Sequence, residues 1–156
     1  MMDPEIEEEA PARKGWIPPA AVVVAIIGLA DSIYLTVHHF TTEPVPCSIV
    51  EGCEQVLNSQ WAEIGGIPLA AFGAGAYFVA FSLALLTAFG DSRMWKLFGI
   101  QATLMAAFSA WLLYVQAALI GAFCQFCLLS AITSVLLFSL FLLSVFFGRR
   151  TNAKLT

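Results

Sequence analysis

Polar residues interrupt this chain at few places, and the apolar blocks between them have the lengths of membrane helices. The hydrocarbon core of a bilayer is about 30 Å thick, so a spanning helix needs roughly 20 mostly apolar residues. Residues 16–40 meet that requirement with one interruption, Asp31, and residues 67–89 meet it again. From Leu97 to Gly148 there is no formally charged side chain, a run too long for one crossing and suited to two joined by a turn. Its midpoint falls at Gly121 and Ala122, so the third and fourth helices are expected to form a hairpin whose bend lies at a membrane surface.

Composition agrees with that reading. The 156 residues are 60% hydrophobic and 12% charged, with a mean hydropathy of +0.84, which excludes an ordinary soluble domain. No insertion of soluble-domain length separates the apolar blocks, so one all-α membrane domain is expected over residues 16–148, a four-transmembrane-helix bundle. Residues 1–15 open with "MMDPEIEEEAPA" and are expected to be a disordered acidic tail, and residues 149–156 a short basic tail. No convincing small-x-small cleavage site follows the first apolar block, so it is expected to stay as a membrane helix.

Charge then gives the chain a direction. All seven basic residues lie at span ends on one side: Arg13 and Lys14, then Arg93 and Lys96, then Arg149, Arg150 and Lys154. The loop 41–66 has none and carries Glu43, Glu51, Glu54 and Glu63. By the positive-inside rule both termini are cytoplasmic, and that loop shares the extracytoplasmic face with the turn near Cys124. The expected setting is a multi-pass protein of the cell (inner) membrane, surrounded by lipid and with no nucleic-acid partner.

The four cysteines, Cys47 and Cys53 in "PCSIVEGCEQ" and Cys124 and Cys127 in "CQFC", all fall on this outer side, where disulfides persist. A bridge across the six-residue spacing around Gly52 would clasp a mobile loop, so for the first pair a structural staple and a redox role both stand. Residues already one helical turn apart gain almost no loop-closure constraint from a bridge, which favours exchange chemistry for the second pair. At a helix start, backbone N–H groups and the dipole stabilise a thiolate. Zinc is disfavoured because neither spacing resembles the paired knuckles of an all-cysteine site, and no metal is expected. His38 and His39 are read as solvated or hydrogen-bonded interface residues. At about 1.5 Å rise per residue, Cys127 lies about 4.5 Å deeper than Cys124. The four thiols thus form a ladder from water towards lipid, along which disulfide exchange can pass oxidising equivalents.

A loop cysteine followed six residues later by a serine ("CEQVLNS", Cys53 to Ser59), then "WAEIGGIPLAAFG", then a Cys-x-x-Cys opening a later helix, resembles the vitamin K epoxide reductase (VKOR) family. "GLADSIYLT" in the first span is similar to the same family, and the likeness runs from about Gly28 to Ser130, to bacterial and archaeal members above all. The resemblance implies a four-helix bundle around a quinone, of ubiquinone or menaquinone type, capped by an extracytoplasmic loop containing a short helix. It implies that Cys47 and Cys53 take electrons from a reduced thioredoxin-like (DsbA-like) protein, that Cys53 attacks Cys124, and that Cys127 contacts the quinone. It also implies that Ser59 sits beside the quinone ring, where the plain alternative is a local cap. Many bacterial relatives carry a fifth helix and a fused thioredoxin-like domain; with this sequence ending at Thr156, the partner is expected to be a separate protein. Where the animal enzymes have a tyrosine four residues after the second active-site cysteine, this chain has Ala131, so quinone reduction is expected rather than epoxide reduction.

The remaining polar residues leave choices open. Asp31, about nine residues or roughly 14 Å inside its helix end, reads either as a tuner of proton delivery or as a structural carboxyl bonded to a neighbouring helix. Gln101, Gln116 and Gln125 read equally as interhelical hydrogen-bond formers or quinone contacts. Phe123 and Phe126, beside the cysteines, are candidate borders of the quinone site. Against the enzyme stands a non-enzymatic membrane scaffold whose cysteines are inert staples.

Overall fold

The computed structural model describes residues 15–41, 45–47 and 52–153, and of 148–153 the backbone only. Nearly all of the expected acidic tail lies outside these residues, as do Arg13, Lys14, Glu43, Glu51 and Lys154. Four long apolar helices are each able to cross a membrane: α1 (Ile17–Thr41), α3 (Leu69–Ala88), α4 (Ser92–Tyr114) with its π-helical continuation Val115–Ile120, and α5 (Gln125–Ala153). They close a ring in which α1 meets α3, α3 meets α4, α4 meets α5 and α5 returns to α1. The expected four-helix membrane bundle is the observed fold.

Between α1 and α3 lie a short helix, α2 (Cys53–Leu57), and a hairpin of two-residue strands, β1 (Glu63–Ile64) and β2 (Ile67–Pro68), pairing Ile64 with Ile67. Gly65 and Gly66 both take positive φ, 61° and 82°, as a type I′ turn requires. Backbone bonds from Ala62 N to Ser59 O (2.9 Å) and from Leu69 N to Ala62 O (2.8 Å) tie this cap to the start of α3.

Small residues let the helices approach. Ala21 and Ala25 of α1, Ala80 and Ala84 of α3 and Ala102 of α4 are fully buried, the pattern by which membrane helices gain packing where lipid offers no hydrophobic drive. Gly28 of α1 sits against the Tyr77 ring, and any Cβ there would overlap it; Gly99 stands in the same relation to Phe141. Near the basic end, the Trp95 indole stacks on Phe98 at 4.5 Å and donates to Ser144 Oγ at 2.7 Å. That end is therefore a packed plug between the helices, and the cavity that the cysteines reach lies towards the cap.

Two boundaries differ from the hydropathy reading, each for a local reason. Helix α4 begins at Ser92 rather than near Leu97, because the Asp91 side chain accepts from Arg93 N at 3.0 Å and caps a turn that charge counting assigns to a loop. Helix α5 continues through Arg149 and Arg150 to Ala153, so part of the expected basic tail is helical. The bend at Gly121 is where the charge-free run predicts it: Gly121 ends the third span in the left-handed region at φ 70°.

Candidate functional site

The loop reaches the helix hairpin through a backbone contact. A Cβ on Gly52 would lie 2.6 Å from the carbonyl oxygen and 2.8 Å from the amide nitrogen of Phe123. Only a glycine lets the chain run this close, and its carbonyl then accepts from Val56 N at 3.1 Å to start α2. Cys53 follows at once, 2% exposed, in one apolar cluster with Val56, Ala122 and the fully buried Cys124; Cys47 and Cys127 pack against that cluster. Cys47 and Cys53 are joined by a disulfide, whereas Cys124 and Cys127 carry free thiols. The two pairs, 71 residues apart from Cys53 to Cys124 by numbering, are thus brought together.

Cys124 caps α5. Its carbonyl accepts from Leu128 N at 2.9 Å, and its own N–H donates to Gln116 Oε1 at 3.1 Å. The wide π-helical turn, with Gly121 N bonded to Gln116 O at 2.9 Å, aligns the Gln116 side chain under the bend, where it is buried. A hydrogen bond from the Cys127 thiol lowers the pKa of the Cys124 thiol from its ordinary range to about 7, against the opposing effect of burial; N–H groups of Cys127 and Phe126 add to the lowering. Cys124 therefore carries a substantial thiolate fraction near neutral pH, the form in which a thiol is nucleophilic.

Beneath the cap the bundle encloses a cavity of about 460 Å³. Cys127 lines it and Cys124 does not, which places the second thiol at the cavity wall and the first between the cavity and the loop cysteines. The lining is mainly apolar, with Leu35, Met105, Phe108 and Ile120 among its residues, and polar side chains enter at Asp31, Ser59, Tyr77, Gln101 and Gln116. Both volume and lining suit a planar ring with an apolar tail, since small-molecule sites are mostly apolar spaces of about 300–1,000 Å³ with a few placed polar groups. Trp61 and His39 lie at the cap end, where His39 Nε2 meets Glu63 Oε1 at 3.3 Å and pins the hairpin to α1.

Each sequence candidate now has a position. Ser59 lines the cavity while its hydroxyl donates to Val56 O at 2.7 Å, so the local cap is formed and the oxygen's lone pairs stay available. Phe123 and Phe126 do not line this cavity: Phe123 is 41% exposed on the outside of the bend, and Phe126 packs on Tyr34 of α1 at 5.3 Å. The glutamines separate by partner. Gln101 donates to Ala76 O at 3.2 Å, Gln125 donates to Pro46 O at 3.3 Å beside Cys47, and Gln116 holds Cys124. The sequence reading missed Tyr77, a buried phenol in the cavity wall whose hydroxyl lies 2.6 Å from Thr133 Oγ1 and 2.7 Å from Ser130 O. It also missed the hairpin, although Gly-Gly between two isoleucines is a hairpin signal.

Comparison with known proteins shows the family of the chain. The profile of the vitamin K epoxide reductase family matches residues 19–142. The chain is 40% identical over 127 residues to the thiol-disulfide oxidoreductase LTO1 of Arabidopsis thaliana, covering 75% of this chain and 33% of that protein. It thus spans about a third of the length of this curated relative.

Two outcomes are expected from this geometry. Alkylation of Cys124 by iodoacetamide, followed by peptide mass spectrometry, should rise with a midpoint at about pH 7. Cys127→Ala, which deletes the stabilising donor, should move that midpoint upward and slow the reaction at neutral pH; an ordinary midpoint near about 8.5 in the unaltered protein would refute the assigned hydrogen bond. Gly52→Val should force the loop off the Phe123 backbone and slow disulfide exchange between Cys53 and Cys124 by about 100-fold, as small displacements of reacting groups do. Unchanged exchange in a rapid-quench assay would mean that this contact does not set the transfer distance.

Proposed function

The chain belongs to the vitamin K epoxide reductase family, and from that premise we propose that it is a membrane thiol oxidoreductase of the bacterial and archaeal type, passing electrons from a reduced thioredoxin-like (DsbA-like) protein through two cysteine pairs to a quinone, so supporting disulfide formation. The observation that carries the reading is the shared burial of Cys53 and Cys124 with Cys127 in the cavity wall. An inert scaffold would not need two pairs stacked between the loop and an internal cavity.

The direction of transfer is outer pair to inner pair. Cys47 is partly exposed and Cys53 buried, so a protein dithiol meets Cys47 first and leaves Cys53 as the thiolate facing the inner pair. Cys53 attacks Cys124, the fully buried sulfur of its own cluster, and releases Cys127; the partner's second thiol displaces Cys47 from its mixed disulfide and leaves the partner oxidised, and the freed Cys47 then attacks Cys53, reforming the loop disulfide and releasing Cys124. The result is an oxidised outer pair and a reduced inner pair, the arrangement seen in the structure. A bound quinone, of ubiquinone or menaquinone type, supplies the acceptor for two electrons and two protons. Around it Cys127 presents its thiol, Ser59 offers a hydroxyl oxygen, and Gln116 fixes the Cys124 backbone. The cap of α2 and the β-hairpin excludes water from the cavity's outer end, which protects the exchange from side reactions.

We place both termini in the cytoplasm and the cysteines on the periplasmic or extracytoplasmic side of the cell membrane, because the basic residues segregate to the other side. In intact, reduced spheroplasts a membrane-impermeant maleimide should label Cys47 or Cys53 from outside; labelling only after the cytoplasm is opened would reverse the orientation.

Purified protein given a reduced thioredoxin-like protein and a short-chain quinone should form quinol. Cys47→Ala should stop turnover with the protein donor yet leave part of the turnover driven by a small dithiol, while Cys127→Ala should stop both. Absence of thiol-dependent quinol from the unaltered protein would overturn the function. Equal loss of both activities in Cys47→Ala would overturn the shuttle role.

A further inference from the structure

We propose that Asp31 is the acid of the cavity: it hands over one of the two protons needed when the inner thiol pair reduces a quinone. The inference rests on the function proposed above. Asp31 lies on α1 about 15 Å inside the helix's outer end by helical rise. Its side chain lines the same cavity as Cys127. It is only 7% exposed, and its Oδ2 is buried without a hydrogen-bond partner among the described residues.

Several other polar groups in the wall already have partners. Gln101 donates to Ala76 O, Gln116 accepts from Cys124 N, Ser59 donates to Val56 O, and the Tyr77 hydroxyl is held by Ser130 and Thr133. Among the described residues no lysine or arginine lines the cavity. A carboxyl serving only to join two helices would spend both oxygens on a neighbouring helix, and Oδ2 does not. An uncompensated ionisable group inside a membrane bundle is costly, and where one is retained it commonly lines a path for protons or ions.

Balance of the reaction asks for such a group. Cys124 reacts as a thiolate and has no proton to give; Cys127 holds one. As the sulfur–sulfur bond between them forms, two electrons leave the pair and the Cys127 thiol loses its proton. Asp31 supplies the second proton, becomes a carboxylate, and is reprotonated from water before the next cycle. One thiolate, one thiol, one carboxylic acid and one quinone become one disulfide, one carboxylate and one quinol, with charge conserved. The titratable groups around Asp31 are Cys124 and Cys127 at the start of α5, Tyr77 from α3, and His39 with Glu63 at the cap; α4 presents none to the cavity.

Asp31→Asn keeps the shape and polarity of the side chain but has no proton to transfer. In that variant kcat for quinol formation should fall by about 100-fold, the usual contribution of a general acid. Its KM for a short-chain quinone should stay within about threefold of the unaltered value, since only transition-state interaction is removed. Quinone-free exchange from the outer to the inner pair should run at the unaltered rate, showing that the fold and the sulfur relay are intact. In the unaltered protein, an infrared difference spectrum taken on adding quinone to the reduced pair should show the loss of a protonated-carboxyl band, absent in Asp31→Asn. Asp31→Glu should recover most of the quinol rate. An undiminished kcat in Asp31→Asn, loss of the exchange step along with quinol, absence of the infrared band or failure of Asp31→Glu to recover activity would each overturn the proposal. No thiol-dependent quinol from the unaltered protein would instead remove the parent function, and this role with it.

Discussion

The contact between Gly52 and the backbone of Phe123 sets the spacing on which the site depends. Two backbone segments, one in the loop and one at the helix bend, meet where no side chain fits, and the residues that follow each segment are Cys53 and Cys124. Because neither partner in the contact is a flexible side chain, main-chain packing sets how closely the backbones that carry Cys53 and Cys124 approach. Sulfur exchange needs the reacting atoms close and in line, so a rigid approach contributes more than an additional stabilising bond would.

The rest of the bundle supports that approach from below. Alanines and Gly28 draw α1 and α3 together, the Trp95, Phe98 and Phe141 plug packs the far end, and the cavity lined by Cys127 lies under the cap. The π-helical segment widens the last turn before the bend, so Gln116 reaches the N–H of Cys124 and locks the residue that caps α5. A buried backbone donor left without a partner there would cost about 1–3 kcal/mol, so this single glutamine both satisfies the bend and orients the nucleophile.

Electrostatics divides the site into two regions. Cys124 sits at the helix start, among N–H groups and beside a donating thiol, which bring its pKa down to about 7. Asp31 sits deeper, in a wall that no described lysine or arginine enters, and its Oδ2 is buried without a hydrogen-bond partner among the described residues. The Asp31 carboxyl and the Cys127 thiol face one cavity from different helices, with Cys124 behind Cys127 on the side of the loop cysteines.

The sequence by itself determined the number of spans, the position of the bend, the segregation of basic residues and the grouping of the four cysteines, because length, charge and spacing add up along the chain without reference to neighbours. It also carried the signal for the Gly-Gly hairpin, which a reading attentive only to spans passes over. Tertiary structure alone decided which side chains face the cavity. It sent Phe126 to Tyr34 and Phe123 outward, gave the three glutamines different partners, placed Tyr77 in the wall and left Asp31 Oδ2 without a partner. The physical reason is the solvent. In water an apolar stripe marks a helix's inner face, but in lipid both faces are apolar, so periodicity carries little information about rotation, and the close approach of small residues fixes it instead.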